Sequence, residues 1–153
     1  MRKPGGFTLI EMLVTIALLG VLAVIAIPQF RTLLERNQVV SAANDLVAAL
    51  LMARSEAINQ EATVTVKSDD WASATWTIVD ADDEIIVYHE PSENMSITPN
   101  GTVAEVSYLS SGRAAGPGFT NADYFSVEYG DAARKVCLSA IGRPFVLKEG
   151  DCP

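Results

Sequence analysis

The distribution of apolar and polar side chains divides the chain into a hydrophobic first part and a mixed remainder. Residues 12 to 27 contain no charged side chain, and the apolar run to which they belong begins at Phe7. A membrane-spanning helix needs about 20 predominantly apolar residues. The pattern therefore predicts a transmembrane helix over residues 7–27.

A helical period continues beyond this run. Between residues 28 and 60 apolar side chains recur at spacings of three and four, which is typical of a helix with one buried face. We therefore expect one helix from about Phe7 to about Asn59, about 80 Å long. Pro28 lies inside it and lacks an N–H donor, so it is expected to kink or loosen the helix. The apolar stripe consists of Phe30, Leu33, Leu34, Val40, Leu46, Val47, Leu50, Met52 and Ala57.

After residue 60 the period changes to two, which is typical of strands. Turn-forming clusters of Asp, Asn, Gly and Pro separate the alternating segments. The pattern predicts an α+β fold, in which a long N-terminal helix, first transmembrane and then amphipathic, packs on a globular domain rich in antiparallel β-sheet. The predicted strands are 63–66, 76–79, 85–88, 95–97, 103–109, 124–129, 135–138 and 144–147.

One charged side chain stands near the start of the apolar helix. Glu11 follows Phe7-Thr8-Leu9-Ile10 and precedes the uncharged run. A charge inside a bilayer costs several kcal/mol, so an intramembrane carboxylate is a functional hypothesis by default. We expect Glu11 to need a partner that no group in the same span supplies.

The residues before the helix add a second signal. Arg2 and Lys3 precede the small pair Gly5-Gly6, which directly precedes Phe7. Together with Glu11, the long apolar helix and Pro28, this order resembles the type IV pilin and pseudopilin superfamily. The resemblance implies a pilin-like fold, divided into a leader (1–6), a transmembrane or filament-core helix (7–27), an amphipathic half-helix (28–60) and a β-rich domain (61–153).

The same resemblance implies roles for four residues. A prepilin peptidase cuts between Gly6 and Phe7, and the new N-terminus at Phe7 is then N-methylated. Glu11 pairs with the N-terminal amine, its own or a neighbour's, as subunits enter a filament. Pro28 is associated with a curved or partly melted helix there.

Two plainer interpretations of the N-terminus fit less well. A secretory signal peptide has a shorter apolar stretch, and its small-residue cut site follows that stretch. Here the run is longer and the glycines come first. An ordinary membrane anchor satisfies the length but is not expected to carry Glu11.

Further segments narrow the resemblance to the GspH/FimT group of minor pilins and pseudopilins. They are residues 136–144, with Gly142-Arg143 near their end, Asn37 with 42–46, and 53–57. The group implies a low-copy subunit near the tip of a type IV pilus or a type II secretion pseudopilus, which the sequence does not distinguish. Its partners are other pilin or pseudopilin subunits, the prepilin peptidase, the inner-membrane assembly platform and inner-membrane lipid.

The expected location follows from the charges around the span. Arg2 and Lys3 stay cytoplasmic under the positive-inside tendency. The protein is thus expected in the bacterial inner membrane as a single-pass protein with its globular domain in the periplasm. It would later join the filament.

Composition argues against several other functions. The chain has a single histidine, His89, and no catalytic constellation, so we expect no enzyme activity, no metal site and no cofactor. The acidic residues 80–84 lack the glycine and closing glutamate of a calcium loop, and a solvated turn is the better interpretation. Trp71 and Trp76 are interpreted as packing residues rather than a ligand platform.

DNA binding is the alternative function. Some members of the FimT branch bind DNA through a Gly-Arg-x-Arg motif, and Gly142 and Arg143 match its first half. Phe145 occupies the place of the second arginine, and the chain carries a formal charge of −8. Phosphate contacts need clustered cations, so Arg143 with Lys148 predicts a weak site, and a turn glycine beside a solvated arginine is favoured.

The two cysteines, Cys137 and Cys152, lie outside any metal-ligand pattern. In an oxidising compartment two such cysteines usually pair. We expect a disulfide after export that contributes about 3 kcal/mol to stability. Two independent buried thiols are the alternative.

Overall fold

The structure, a computed structural model, describes residues 8–90, 94–101, 103–115, 119–120, 122–148 and 150–152. Its residues form two compact units, one ending at Leu34 and one beginning at Glu35. Helix α1, Leu9–Asn59, contributes to both units.

The first unit is the N-terminal part of α1. Its apolar side chains are exposed in the single chain, for example Leu9 at 78% and Val24 at 76%. Within the described residues α1 is the one helix whose length and composition suit a membrane span. So continuous an apolar surface requires lipid or other helices to cover it.

Within the described residues, the second unit combines the remainder of α1 with eight strands and a short 3-10 helix at Trp71–Ser73. The strands are β1 Val64–Lys67, β2 Trp76–Val79, β3 Ile85–His89, β4 Ser96–Asn100, β5 Val106–Tyr108, β6 Tyr124–Tyr129, β7 Ala132–Leu138 and β8 Pro144–Leu147. They form two four-stranded sheets, ordered β3-β2-β1-β5 and β4-β6-β7-β8. Every neighbouring pair is antiparallel, so the predicted α+β, pilin-like fold class is confirmed.

The strand prediction succeeds because alternation is strong in each segment, and its errors are at the ends. β7 begins at Ala132, earlier than predicted, because Tyr129 pairs with Ala132 across a two-residue turn, Gly130-Asp131. Gly130 has φ +56°, a conformation that favours glycine in such hairpins. β5 is shorter than predicted and covers only Val106–Tyr108.

The core of the second unit lies between α1 and the two sheets. The predicted apolar stripe of α1 is partly wrong, because Val40 and Met52 are exposed whereas Val39 is fully buried. The buried face of α1 is made up mostly of alanines. It consists of Val39, Ala42, Ala43, Leu46, Ala49, Leu50, Ala53 and Ala57.

Both tryptophans are buried packing residues. The Trp71 ring lies 4.8 Å from that of Phe125, and its Nε1 donates to the carbonyl of Ala104 at 2.9 Å. Trp76 stacks on His89 with ring centroids 3.6 Å apart. The polar tip of Trp71 is thus satisfied while its ring fills the core.

Candidate assembly site

A capping box closes the N-terminal end of α1. The Thr8 N–H and the Thr8 hydroxyl each donate to Oε2 of Glu11 at 2.8 Å. In return, the Glu11 N–H donates to the Thr8 hydroxyl at 3.3 Å. This reciprocal pairing satisfies backbone donors that a helix start otherwise leaves open.

The expectation that no group in the span can partner Glu11 is therefore wrong. Thr8 supplies both partners, and the Thr-x-x-Glu spacing at a helix start is the sequence signal that identifies them. Both bonds end on Oε2 of Glu11. Among the described residues, none donates to Oε1.

The structure describes one of the three other residues that are expected to act in assembly. Gly6 and Phe7 lie outside the described residues. Pro28 lies inside α1, where its carbonyl accepts a hydrogen bond from the Thr32 hydroxyl at 3.1 Å.

The C-terminal Gly-Arg segment forms a tight turn between β7 and β8. The Gly142 N–H donates to the Ser139 carbonyl at 2.7 Å, and the Arg143 carbonyl accepts from the Ser139 N–H at 3.0 Å. The Gly142 carbonyl accepts from the buried Tyr108 hydroxyl at 2.6 Å. Burial raises the pKa of Tyr108, which keeps that hydroxyl a donor.

The basic residues near this turn are exposed. Arg143 follows the turn and Lys148 follows β8. The Ala114 N–H donates to the Ile141 carbonyl at 3.3 Å. This bond brings Arg113, the chain neighbour of Ala114, close to the turn between β7 and β8. Sequence reasoning missed Arg113, because this contact joins segments far apart in the chain.

A disulfide fastens the C-terminal tail. Cys137 on β7 is bonded to Cys152, with Cα atoms 5.7 Å apart. Lys135 also holds the tail, because its Nζ donates to the Gly150 carbonyl at 2.9 Å and lies 3.8 Å from an Asp151 oxygen. The tail is thus tied to β7 at two points.

A groove between α1 and β3 contains the single histidine. It is lined by Asp45, Ala48, Ala49, Met52, Trp76, Ile78, Val87 and His89. Burial lowers the pKa of His89, and the nearby carboxylate of Asp45 opposes this shift. Burial of the imidazole therefore favours its neutral form.

Two family models match this chain. The prokaryotic N-terminal methylation motif matches residues 1–27, and the family described as type II transport protein GspH matches residues 42–142, more than half of the chain. The chain belongs to the GspH family. The two matches together make it a pilin-like or pseudopilin-like protein.

Parts of two fimbrial proteins are similar to this chain. A fimbrial protein of Pseudomonas aeruginosa is 45% identical over 58 residues, which are 38% of this chain and 37% of that protein. A probable minor fimbrial protein of Dichelobacter nodosus is 49% identical over 39 residues, 26% of this chain and 24% of that protein. These matches cover well under half of each relative.

The type IV minor pilin FimU of Pseudomonas aeruginosa has a similar fold. Its crystal structure superposes with a TM-score of 0.60, covering 76% of this chain and 91% of that one. The sequence identity is 23%, so this likeness concerns the fold alone.

Proposed function

We propose that this GspH-family chain is an assembly subunit of a type IV pilus or a type II secretion pseudopilus, located near the filament tip. Its role is structural, like that of the families it matches, and requires no catalytic group. The subunit waits in the inner membrane with its β-rich unit in the periplasm. The assembly platform then moves it into the filament together with other pilin or pseudopilin subunits.

The proposal includes processing of the N-terminus. A prepilin peptidase removes residues 1–6 by cutting between Gly6 and Phe7, and the amine of Phe7 is then methylated. The match of residues 1–27 to the methylation motif supports this step. A free amine is thereby created within a few residues of Glu11.

The observation that carries the assembly role is the arrangement at the start of α1. Oε2 of Glu11 is held by Thr8, so the carboxylate is fixed at the helix start. Oε1 then receives the amine of Phe7, its own or that of a neighbouring subunit. An ion pair is favoured there because a lone charge in lipid costs several kcal/mol.

Two variants test this role because they separate charge from capping. Glu11→Gln keeps a side chain that serves in a capping box but removes the charge. Glu11→Val removes both. We expect both variants to insert into the membrane normally and to enter filaments poorly beside wild-type subunits, as measured by immunoblot of sheared filaments.

Thr15→Val is the matched control. It changes a polar side chain one turn further along α1, where the hydroxyl donates only to the Met12 carbonyl. Incorporation should stay normal. Wild-type incorporation of Glu11→Gln would show that capping alone suffices and would refute the ion pair.

DNA capture is the second candidate function. It is supported by the hydrogen bond between Ala114 and Ile141, which brings Arg113 near the turn that carries Arg143. The acidic balance of the chain opposes it. We rank DNA capture below assembly.

A further inference from the structure

Exposed apolar side chains and arginines meet at one place on the second unit. Three segments contribute to it, namely the end of α1, the turn after β5 and the turn between β7 and β8. Each segment supplies one apolar residue and one arginine, two to four positions apart in the sequence. This three-arginine surface consists of Arg54, Ile58, Leu109, Arg113, Ile141 and Arg143.

Close contacts bring the three segments together. A Cβ placed on Gly112 would lie 2.7 Å from Cδ1 of Ile58 and 3.4 Å from Nε of Arg54. The turn after β5 therefore rests against the end of α1. The hydrogen bond from Ala114 to the Ile141 carbonyl holds the same turn beside the turn between β7 and β8.

The apolar members of the surface remain open to solvent. Ile58, Leu109 and Ile141 are 49%, 41% and 46% exposed. A single exposed apolar side chain is normal on a protein surface. Several of them grouped among polar residues indicate a contact with another protein.

The arginines of the surface have no acidic partner within the described part of the chain. Arg113 and Arg143 are exposed, and Arg54 is half-buried. Neither ion pair formed by the described residues includes any of the three. Glu56 and Glu61, near the end of α1, also lie outside those pairs. The three positive charges are therefore available to a partner.

We propose that the three-arginine surface docks a different pilin or pseudopilin subunit, whose contact face places carboxylates among apolar side chains. The inference rests on the proposed assembly role and adds to it the surface and the chemistry of the partner. A low-copy subunit has neighbours of other kinds. Two copies that met through this surface would bring arginine against arginine.

The composition of the surface favours a protein partner over DNA. Protein interfaces combine buried apolar side chains with arginine, which is enriched among the residues that dominate binding. Arginine also binds carboxylates through two parallel hydrogen bonds. DNA phosphates would use the cations but gain little from the three apolar side chains, and the formal charge of −8 opposes a polyanion.

Photocrosslinking of the full chain in its membrane tests the proposal in cells that assemble the filament. Ile58 is replaced by p-benzoyl-phenylalanine. Illumination should link the chain to a different subunit that carries an N-terminal methylation motif, identified by mass spectrometry. The same photoprobe at Tyr88 is the control, because β3 and β5 are opposite edges of the first sheet. It should give no link to the same segment of that subunit.

Two substitutions in the Ile58 photoprobe chain measure the apolar and the charged contributions. Ile141→Ser should lower the crosslink yield about fivefold to tenfold, because it removes apolar contact area. Arg113→Glu should lower it about fivefold, because repulsion replaces attraction at an exposed pair. Ile85→Ser and Arg36→Glu make the same changes at exposed positions elsewhere and should leave the yield unchanged.

The decisive arm restores the charge match. Mass spectrometry locates the linked peptide of the partner, and each acidic residue in that peptide is replaced in turn by arginine. One of these partner variants, combined with Arg113→Glu, should recover most of the lost yield. A folding defect in either protein would not be corrected in this way.

Several outcomes would overturn the proposal. They are the absence of a link, a link to a second copy of this chain, a link to a protein without the methylation motif, and a yield indifferent to Ile141→Ser and Arg113→Glu. Duplex DNA binding by the full chain that is lost in Arg113→Glu but kept in Ile141→Ser would assign the surface to nucleic acid instead.

Failure of this contact is distinguishable from failure of the assembly role. The Glu11 variants report on entry into the filament, whereas the crosslink reports on the three-arginine surface of the β-rich unit. Absence of the crosslink with normal filament entry would reject only the docking surface.

Discussion

Gly142 shows how packing can account for a residue that resembles part of a binding motif. Its φ of +79° favours glycine, and a Cβ placed there would lie 2.4 Å from the Ala114 Cβ and 3.3 Å from the Tyr108 ring. The turn, the Tyr108 hydroxyl and Ala114 together require glycine at this position. Its presence beside Arg143 therefore needs no DNA contact to explain it.

Gly142→Ala should lower stability by about 2–4 kcal/mol, because left-handed strain of about 1–2 kcal/mol adds to overpacking of similar size. Gly150→Ala is the matched control, since its φ is +97° and, chain neighbours aside, no atom of the described residues lies within 4 Å of the added Cβ. It should cost about 1 kcal/mol. Urea unfolding of both variants measures the difference, and equal costs would contradict the packing role.

His89 gives the stability a pH dependence. Burial lowers its pKa in the folded state from 6.5, so the unfolded chain binds the proton more readily. Stability should therefore be fully present above about pH 6.5, decline as the pH falls, and level off below the lowered folded pKa. Urea midpoints between pH 5 and 8 measure this, with the expected slope smaller in His89→Phe.

Asp45 provides a second check on that slope. Its carboxylate opposes the lowering of the His89 pKa. Asp45→Asn should therefore make the decline of stability at acid pH steeper. An unchanged slope in both variants would assign the pH dependence to other groups.

At the scale of elements, the sequence predicts more of the strands than of the helix surface. Alternation locates every strand, because most of the buried strand side chains are large and apolar. The buried face of α1 is less predictable, because Ala42, Ala43 and Ala53 are small and stand beside larger exposed residues such as Val40. Which residues lie inside depends on how closely the sheets approach, and hydrophobicity alone does not encode that distance.

The capping box and the bond between Tyr108 and Gly142 show the same limit of prediction from sequence. Thr8 is predictable from its spacing to Glu11, because both partners lie within one turn. The Tyr108 to Gly142 bond joins residues 34 positions apart. No local pattern identifies such a pair.

The disulfide that ties the tail to β7 should contribute measurably to stability. It joins Cys137 to Cys152, 15 positions further along the chain, which constrains the unfolded chain by about 3 kcal/mol. Replacing both cysteines with serine should therefore lower stability by about 2–5 kcal/mol. Thermal unfolding with and without a thiol reductant measures it, and a reductant effect that persists in the double variant would point to another cause.

At the scale of the whole molecule, the net negative charge favours assembly over DNA capture as the function. A fragment starting near Arg31 should bind duplex DNA weakly at physiological salt, because its net negative charge opposes approach and few cations meet at Arg143. Affinity that depends on neutralised phosphates falls steeply as salt rises. Fluorescence anisotropy titrations measure this, with Arg143→Ala and Arg113→Ala each expected to weaken any residual binding.

Tight binding that persists at physiological salt and disappears in Arg143→Ala would reverse the ranking of the two functions. It would make the turn between β7 and β8 a DNA contact despite the acidic surface around it. Weak binding that is indifferent to Arg143 would leave the cations of this turn with another role.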